Sequence, residues 1–220
     1  MSIAIPTSGM KNKEFFFTRC LESLWNQSFQ DFEIIVTDNA PDNEIKTICD
    51  WYKTGIRYYR NPNTSMAQNT NAAIKKSEGE LIKILFMDDF MAHDDALMNI
   101  TNHFKGEWLV TGCSHTEGAI KNSVRFGVHF PEYNEQIHLT NTIGSPSVLT
   151  VRKNTALYFD ENLTWLLDAD LYRRYYDKYG LPTILKDVNV VIGIGSHQAT
   201  NTMGETRKLQ EEEYMKNKYE

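Results

Sequence analysis

The chain has 220 residues, 41% of them hydrophobic and 24% charged, with a formal net charge of −6 and three cysteines. That balance fits one ordinary globular domain with a sizeable core, and the acidity argues against a nucleic-acid partner. No apolar run approaches the ~20 residues that cross a bilayer. Met1–Pro6 lacks the basic start and long apolar region of a signal peptide, so the expected location is cytoplasmic. Cys20, Cys49 and Cys113 are scattered and far from zinc-type spacing. They read as small buried thiols in a reducing compartment.

In chain order, Ser2–Pro6 reads as a short strand. Phe17, Leu21, Leu24 and Trp25 then mark one face of a helix. Phe32–Thr37 is a compact β-branched strand that runs into the loop chemistry of Asp38-Asn39-Ala40-Pro41-Asp42. Ile45, Ile48, Cys49 and Tyr52 predict a second helix, Ile56–Arg60 a third strand, and residues 65–77 a weaker helix with Gly79 as its stop. Leu81–Met87 is the fourth strand. Beyond it, Leu97, Ile100, Thr101 and Phe104 predict a helix, and Trp108–Cys113 another strand. Residues 117–141 show no clear period. Pro146–Arg152 reads as a strand, and Leu167, Leu171, Tyr175 and Tyr179 as a helix ended by Gly180 and Pro182. Val188–Ile194 is a final strand, and the charged tail 205–220 is expected to be a solvated helix with modest packing.

Strand and helix alternate at short spacing in the first half, which predicts parallel pairing with right-handed crossovers. The expected fold is a single α/β, Rossmann-like domain with a mostly parallel central sheet flanked by helices. What leaves the strands' carboxyl ends is then informative, because ligands bind in the crevice there. Those exits are Pro6-Thr7-Ser8, Asp38-Asn39, Arg60-Asn61 and Asp88-Asp89, and all should gather on one rim.

Asp88 and Asp89 follow an apolar run, and unpaired acids cannot sit in an apolar core without a large penalty. A divalent metal and a helix-capping role are both open readings, although Asp94 and Asp95 already stand before the next helix. The first turn, Pro6-Thr7-Ser8-Gly9-Met10-Lys11, has neither the dinucleotide fingerprint nor a phosphate loop. A nucleotide would therefore have to meet Thr7, Asp38 and Asn39 with its base and ribose, while a Mg²⁺ or Mn²⁺ ion on the acidic pair held its phosphates. Paired aspartates also serve phosphatases of the haloacid dehalogenase type, but at the end of the first strand, where this chain has Pro6-Thr7.

Four segments, in order, resemble the family 2 glycosyltransferases of GT-A fold: Ile3–Thr7, Leu24–Ala40, Lys76–Leu81 leading into Met87-Asp88-Asp89, and Phe159–Asp170. The resemblance runs to about His197. It implies a nucleotide-sugar donor, a UDP-sugar before others, a divalent metal, and inversion at the anomeric carbon by single displacement onto a hydroxyl of a glycan or glycolipid. By the same resemblance Pro6, Thr7, Asp38, Asn39 and Asp88 bind the nucleotide, Asp88, Asp89 and His197 hold the metal, and Asp168 is the general base. Residues 1–113 would form the donor half of one domain, 114–200 the acceptor half and 201–220 a charged tail. Lipid-linked acceptors would bring the chain to the inner face of a membrane.

The sequence departs from the family at three commonly acidic positions, which carry Phe86, Asn39 and Leu167. Those departures keep open a second reading, a catalytically inactive nucleotide-sugar-binding module. Gly144-Ser145-Pro146-Ser147 resembles the acceptor-side segment, and Trp165 either stacks on an acceptor sugar or fills the core. His197, in a polar loop, is as readily a solvated side chain as a ligand. Asp170 is expected to support a helix end or a neighbouring loop. Arg60, Lys83 and Arg152 are read as surface cations.

Overall fold

The computed structural model describes residues 1–52, 55–119 and 124–220. The first half alternates as expected: β1 (Ser2–Thr7), α1 (Lys13–Trp25), β2 (Glu33–Asp38), α2 (Glu44–Trp51), β3 (Ile56–Arg60), α3 (Met66–Lys76) and β4 (Leu81–Ile84). β1 is buried along all six residues, the pattern of a central parallel strand covered on both faces. It pairs in parallel with β2 and β4, and β2 pairs in parallel with β3. α1 packs Phe17, Cys20, Leu21 and Leu24 against the sheet with no exposure, each larger side chain contributing about 1.5–3 kcal/mol of apolar burial. All three cysteines are free and buried.

The second half departs from simple winding. β5 (Phe90–Met91) and α4 (Ala96–His103) precede the long β6 (Trp108–Glu117), which pairs with β7 (Phe126–His129); residues 120–123 of the aperiodic stretch lie outside the described set. β8 (Leu149–Arg152), α5 (Leu167–Tyr179), β9 (Thr183–Ile194), α6 (Ala199–Thr202) and α7 (Glu205–Tyr219) follow. Among the described residues the strands form one nine-stranded sheet in the order β3-β2-β1-β4-β8-β6-β9-β5, with β7 added beside β6. β8 runs antiparallel to both β4 and β6, and β5 antiparallel to β9. The sheet is therefore mixed, with its parallel ladders in the β3-β2-β1-β4 block and between β6 and β9.

Two of the expected strands need correcting. β4 stops at Ile84 and Leu85–Met87 leave the sheet, closing a turn in which the Asp89 amide donates to the Phe86 carbonyl (3.0 Å). Residues 146–148 are a 3₁₀ turn rather than strand, capped by Ser145, because proline cannot donate to a ladder. The tail is the expected helix with modest packing: α7 buries Glu211 and Met215, and its Lys218 and Tyr219 bind the fully buried Asp170 at 2.7 and 2.6 Å. Asp170 thus holds a neighbouring helix, in line with its expected supporting role.

α3 shows how the sequence aims the sheet's carboxyl edge. Ser65 and Gln68 close a capping box at its start. One turn in, buried Asn69 donates to the carbonyls of Thr7 and Thr37, both at 2.9 Å. A single amide side chain thereby ties the ends of β1 and β2 together.

Candidate active site

A cavity of ≈ 250 Å³ opens at the carboxyl ends of β1 and β2. Pro6, Thr7, Ser8, Asn39 and Asn69 line its first wall, Asp88, Asp89, Gly193 and His197 another, and Ser145, Pro146, Thr164, Trp165, Leu167 and Asp168 a third. The structure thus brings together Pro6, Thr7, Asn39, Asp88, Asp89, Asp168 and His197. Asp38 is not brought in.

Asp38 is 0% exposed and does not line the cavity. Its Oδ1 accepts from Thr7 Oγ1 (3.1 Å) and the Ala40 amide (2.9 Å), and its Oδ2 from Tyr58 OH (2.7 Å) and Arg60 Nη1 (2.9 Å). Four donors satisfy a buried carboxylate well. Burial and then the Asp38 contact push the Tyr58 phenol up to about 12. Arg60 is therefore a partner of Asp38 rather than a plain surface cation. Asn39, next along, reaches the cavity while its Nδ2 donates to the Thr64 carbonyl (2.9 Å).

The acidic pair divides its labour. Asp88 Oδ2 meets His197 Nε2 at 2.9 Å, and that contact raises the imidazole pKa against the opposing effect of burial. The Asp88 carbonyl accepts from Arg19 Nη2 (2.7 Å), whose guanidinium lies 4.4 Å from the Phe90 ring centre. Asp89 is 2% exposed and accepts from the Gly193 amide (2.7 Å). Burial first, and Asp88 beside it second, push its carboxyl well above the usual carboxylate range, against the hydrogen bonds from Ser147 and Gly193. Gly193 is required here: a Cβ would fall on the Asp88 carbonyl.

Lys83 is a correction. It is fully buried, not a surface cation, and its ammonium donates to the carbonyls of Ser147 and Leu149. Burial lowers it to about 7, with Asp89 opposing. Ser147 also accepts the Phe86 amide on its Oγ (2.9 Å). The 3₁₀ turn that presents Ser145 and Pro146 to the cavity is thus tied to the acidic turn from below. Arg152, by contrast, is a partly exposed cation paired with Glu80.

Asp168 sits in the first turn of α5. Its Oδ2 accepts from Asn141 Nδ2 (2.8 Å) and its Oδ1 from the Ala169 amide (2.7 Å). Burial outweighs these bonds and pushes its pKa up to about 7. It does not act as the helix N-cap; that position is Leu166, which makes no side-chain cap. Trp165 lines the cavity, with Lys208 Nζ 5.5 Å from its ring centre.

Among the described residues no three His, Cys, Asp or Glu side chains gather as a metal cage, and Phe86 stands in the lining where the family commonly has an acid. The donors facing the cavity, Asp88 and His197, still fit a hard divalent ion that takes one or two protein ligands and completes its shell with substrate phosphate and water. Asp89 is the less available ligand, since Gly193 and Ser147 already occupy it. Sequence reasoning missed Arg19, Asn69, Asn141 and Glu211. Asn69 alone left a trace, as a polar residue one turn into a helix that follows a capping box.

Residues 2–127 match the family model described as glycosyl transferase family 2. A chondroitin synthase of Pasteurella multocida is 26% identical over 181 residues, which is 78% of this chain and 18% of that protein. This chain spans between 18% and 24% of the length of several such curated relatives. Among solved structures, Staphylococcus aureus TarS 1–349 in complex with UDP-GlcNAc superposes with a TM-score of 0.65 at 19% identity, covering 92% of this chain and 61% of that one. A mannosyltransferase of Pyrobaculum calidifontis in complex with GDP-Man and Mn²⁺ gives 0.62 at 12% identity, over 89% and 57%. The α/β fold with its curled mixed sheet is that of these enzymes, and the family match over residues 2–127 makes the chain a member of glycosyl transferase family 2.

Proposed function

We propose that this chain transfers a sugar from a nucleotide-sugar donor to a hydroxyl of a glycan or glycolipid acceptor, with inversion at the anomeric carbon. The observation that carries the reading is one cavity lined by Thr7 and Asn39, by Asp88 and His197, and by Asp168. Nucleotide chemistry, diphosphate chemistry and a proton acceptor are thereby set around one space.

Thr7 and Asn39 offer hydrogen bonds to a base and ribose, with Asp38 holding Thr7 and the loop from behind. UDP is the expected nucleotide, in line with the UDP-GlcNAc bound by the TarS neighbour. Asp88 and His197 would hold a Mn²⁺ or Mg²⁺ ion, as the Pyrobaculum neighbour's Mn²⁺ suggests; such an ion stabilises the negative charge of the departing diphosphate. Asp168 accepts the acceptor hydroxyl's proton as its oxygen attacks the anomeric carbon, and the bond to the diphosphate oxygen breaks on the far side. A base near pH 7 is well placed to take a proton and release it again. Asn141 orients that carboxylate. No helix among the described residues is long and apolar enough to cross a membrane, and a cytoplasmic place beside lipid-linked acceptors is part of the proposal.

The alternative, an inactive nucleotide-sugar-binding module, draws its support from Phe86 at the commonly acidic position. The experiment is a melting-temperature screen with UDP, UDP-GlcNAc and GDP-mannose, each with Mn²⁺ and with EDTA, followed by UDP-release assays. Ligands that bind only the native state raise its melting temperature. A Mn²⁺-dependent shift with UDP, and UDP release lost in Asp168→Asn, is the expected result. Binding without release in the wild type would select the inactive module, and shifts unchanged by EDTA would remove the ion from the reading.

A further inference from the structure

α7, charged by composition, carries one polar face at helical spacing: Arg207, Glu211, Tyr214 and Lys218 stand 4, 3 and 4 residues apart. Every one of them grips the loop that runs from Asp160 into α5. Arg207 Nη2 donates to the Asn162 carbonyl (2.8 Å). Tyr214 OH and Lys218 Nζ reach Asp160 Oδ2 at 2.8 and 2.6 Å. Glu211, 2% exposed, does the most: its carboxylate accepts from three successive amides, Thr164 (3.0 Å), Trp165 (2.9 Å) and Leu166 (3.1 Å).

Three consecutive backbone N–H groups turned to one point make an anion-binding nest, and here the chain supplies the anion itself. Charge-assisted bonds of this kind are about twice as strong as neutral ones, and burial makes an unsatisfied amide costly. The fixed amides matter because of what they flank. Thr164 and Trp165 line the cavity, and Leu166 is the residue that opens α5, two positions before Asp168. The same helix fixes α5 a second time through Lys218 and Tyr219 on Asp170, so α7 stays docked if the Glu211 contact alone is weakened.

We propose that Glu211 is a positioning residue for the acceptor side of the site: by closing the amide nest of Thr164, Trp165 and Leu166 it sets Trp165 and the first turn of α5, and with it Asp168, at the reaction cavity. The inference rests on the glycosyl-transfer reading above for its functional consequence, though the nest itself does not depend on that reading. The hydrogen bonds given for Thr7, Asn39 and Asp88 run to residues outside this device, and the gripped loop meets α3 separately, where Gln68 and Asn71 donate to Glu161.

The test uses the full chain with Glu211→Gln, which keeps the side-chain volume but loses the charge and turns one acceptor into a donor. A second variant, Met215→Ala, opens a cavity under the same helix (Met215 is 0% exposed) and leaves the nest intact. Amide hydrogen exchange, UDP-plus-Mn²⁺ binding and steady-state UDP release from UDP-GlcNAc, or from whichever donor gives release in the wild type, are measured on both. Glu211→Gln should speed exchange at Thr164, Trp165 and Leu166 at least about tenfold, because charge-assisted bonds protect them. It should leave UDP affinity within about twofold and cut kcat by about ten- to a hundredfold, the scale of a small misplacement of a reacting group. Met215→Ala should lower the melting temperature while keeping kcat near the wild type.

Unchanged exchange at those three amides in Glu211→Gln would overturn the nest. Faster exchange with kcat unchanged would overturn the positioning role, as would an equal loss of kcat in Met215→Ala, which would reduce Glu211 to general stability. Failure of the glycosyl-transfer reading shows separately, as a wild type that binds no nucleotide or releases no UDP, and leaves the exchange result to decide on the nest.

Discussion

The ionisation of Asp168 is the most exposed consequence of the site geometry. Its pKa is pushed up to about 7 by burial; if Asp168 is the base proposed above, only its carboxylate form takes the acceptor's proton, and turnover should rise with pH. With a value near 7, ~1% of the side chain is ionised at pH 5 and ~90% at pH 8, a span of about ninetyfold; a solvated aspartate near 3.9 would change by about 1.1-fold over that range. The assay is the initial rate of UDP release at saturating donor from pH 5 to 8.5, with UDP affinity measured at each pH to separate binding from turnover. Asp168→Asn should flatten the profile at a rate lower by about 10²–10⁴.

Stability supplies an independent arm with the opposite sign. A carboxyl raised in the fold contributes stability that is fully present below its unfolded value near 4 and is lost as pH rises through about 7. Asp168→Asn, which never ionises, should therefore melt above the wild type at pH 8, with the gap closing towards pH 4. A wild-type rate that is level from pH 5 to 7, together with a melting difference independent of pH, would refute the raised pKa of this group, and a wild-type rate in Asp168→Asn would refute its role as base.

Two further variants test how the walls are held. Asp38→Ala strands the Tyr58 hydroxyl and the Arg60 guanidinium around an emptied buried position. It should cost about 3 kcal/mol, near the low end for breaking a buried pair because Arg60 is partly exposed, and lower the melting temperature by about 6–12 °C in calorimetry; a loss below ~1 °C would show that Asp38 is not a structural tie. Gly193→Ala drives a methyl into the Asp88 carbonyl, which is backbone and cannot swing aside. A penalty of about 1–3 kcal/mol is expected, with the Mn²⁺-dependent UDP shift reduced or lost; a wild-type UDP shift in this variant would mean the turn carrying Asp88 tolerates displacement.

The first half was legible because its signals are local and periodic. β1 to β4 and α1 to α3 follow from apolar period and turn residues alone, and the topology rule then places Thr7, Asn39 and Asp88 on one rim without any tertiary information. The second half was not, since its pieces are joined by long-range contacts that no window reveals. The strand expected at Pro146–Arg152 holds only as Leu149–Arg152, and its antiparallel pairing with β4 and β6 depends on where the chain returns, not on its own residues. β4 read three residues too long because Leu85, Phe86 and Met87 are apolar for the sake of the turn and the cavity rather than for the ladder.

Lys83 and Glu211 show why charge is the hardest signal to place. Both are ionisable residues in segments where the ordinary expectation is exposure, and both are buried because backbone groups of another segment stand waiting: two carbonyls of the 145–149 turn for Lys83, three amides of the 164–166 loop for Glu211. A buried charge is tolerable only when such partners exist, and partners that are backbone groups carry no sequence identity. Nothing in Ser147, Leu149, Thr164 or Leu166 announces the charge it serves. The same two residues attach the 145–149 and 164–166 turns to the sheet and to α7, so the parts of the cavity wall that escaped the sequence are those in which main-chain polarity, not side-chain type, does the binding. Variation in side chains along 145–149 and 164–166 can then change what the cavity accepts while Lys83 and Glu211 keep holding the same backbone in place.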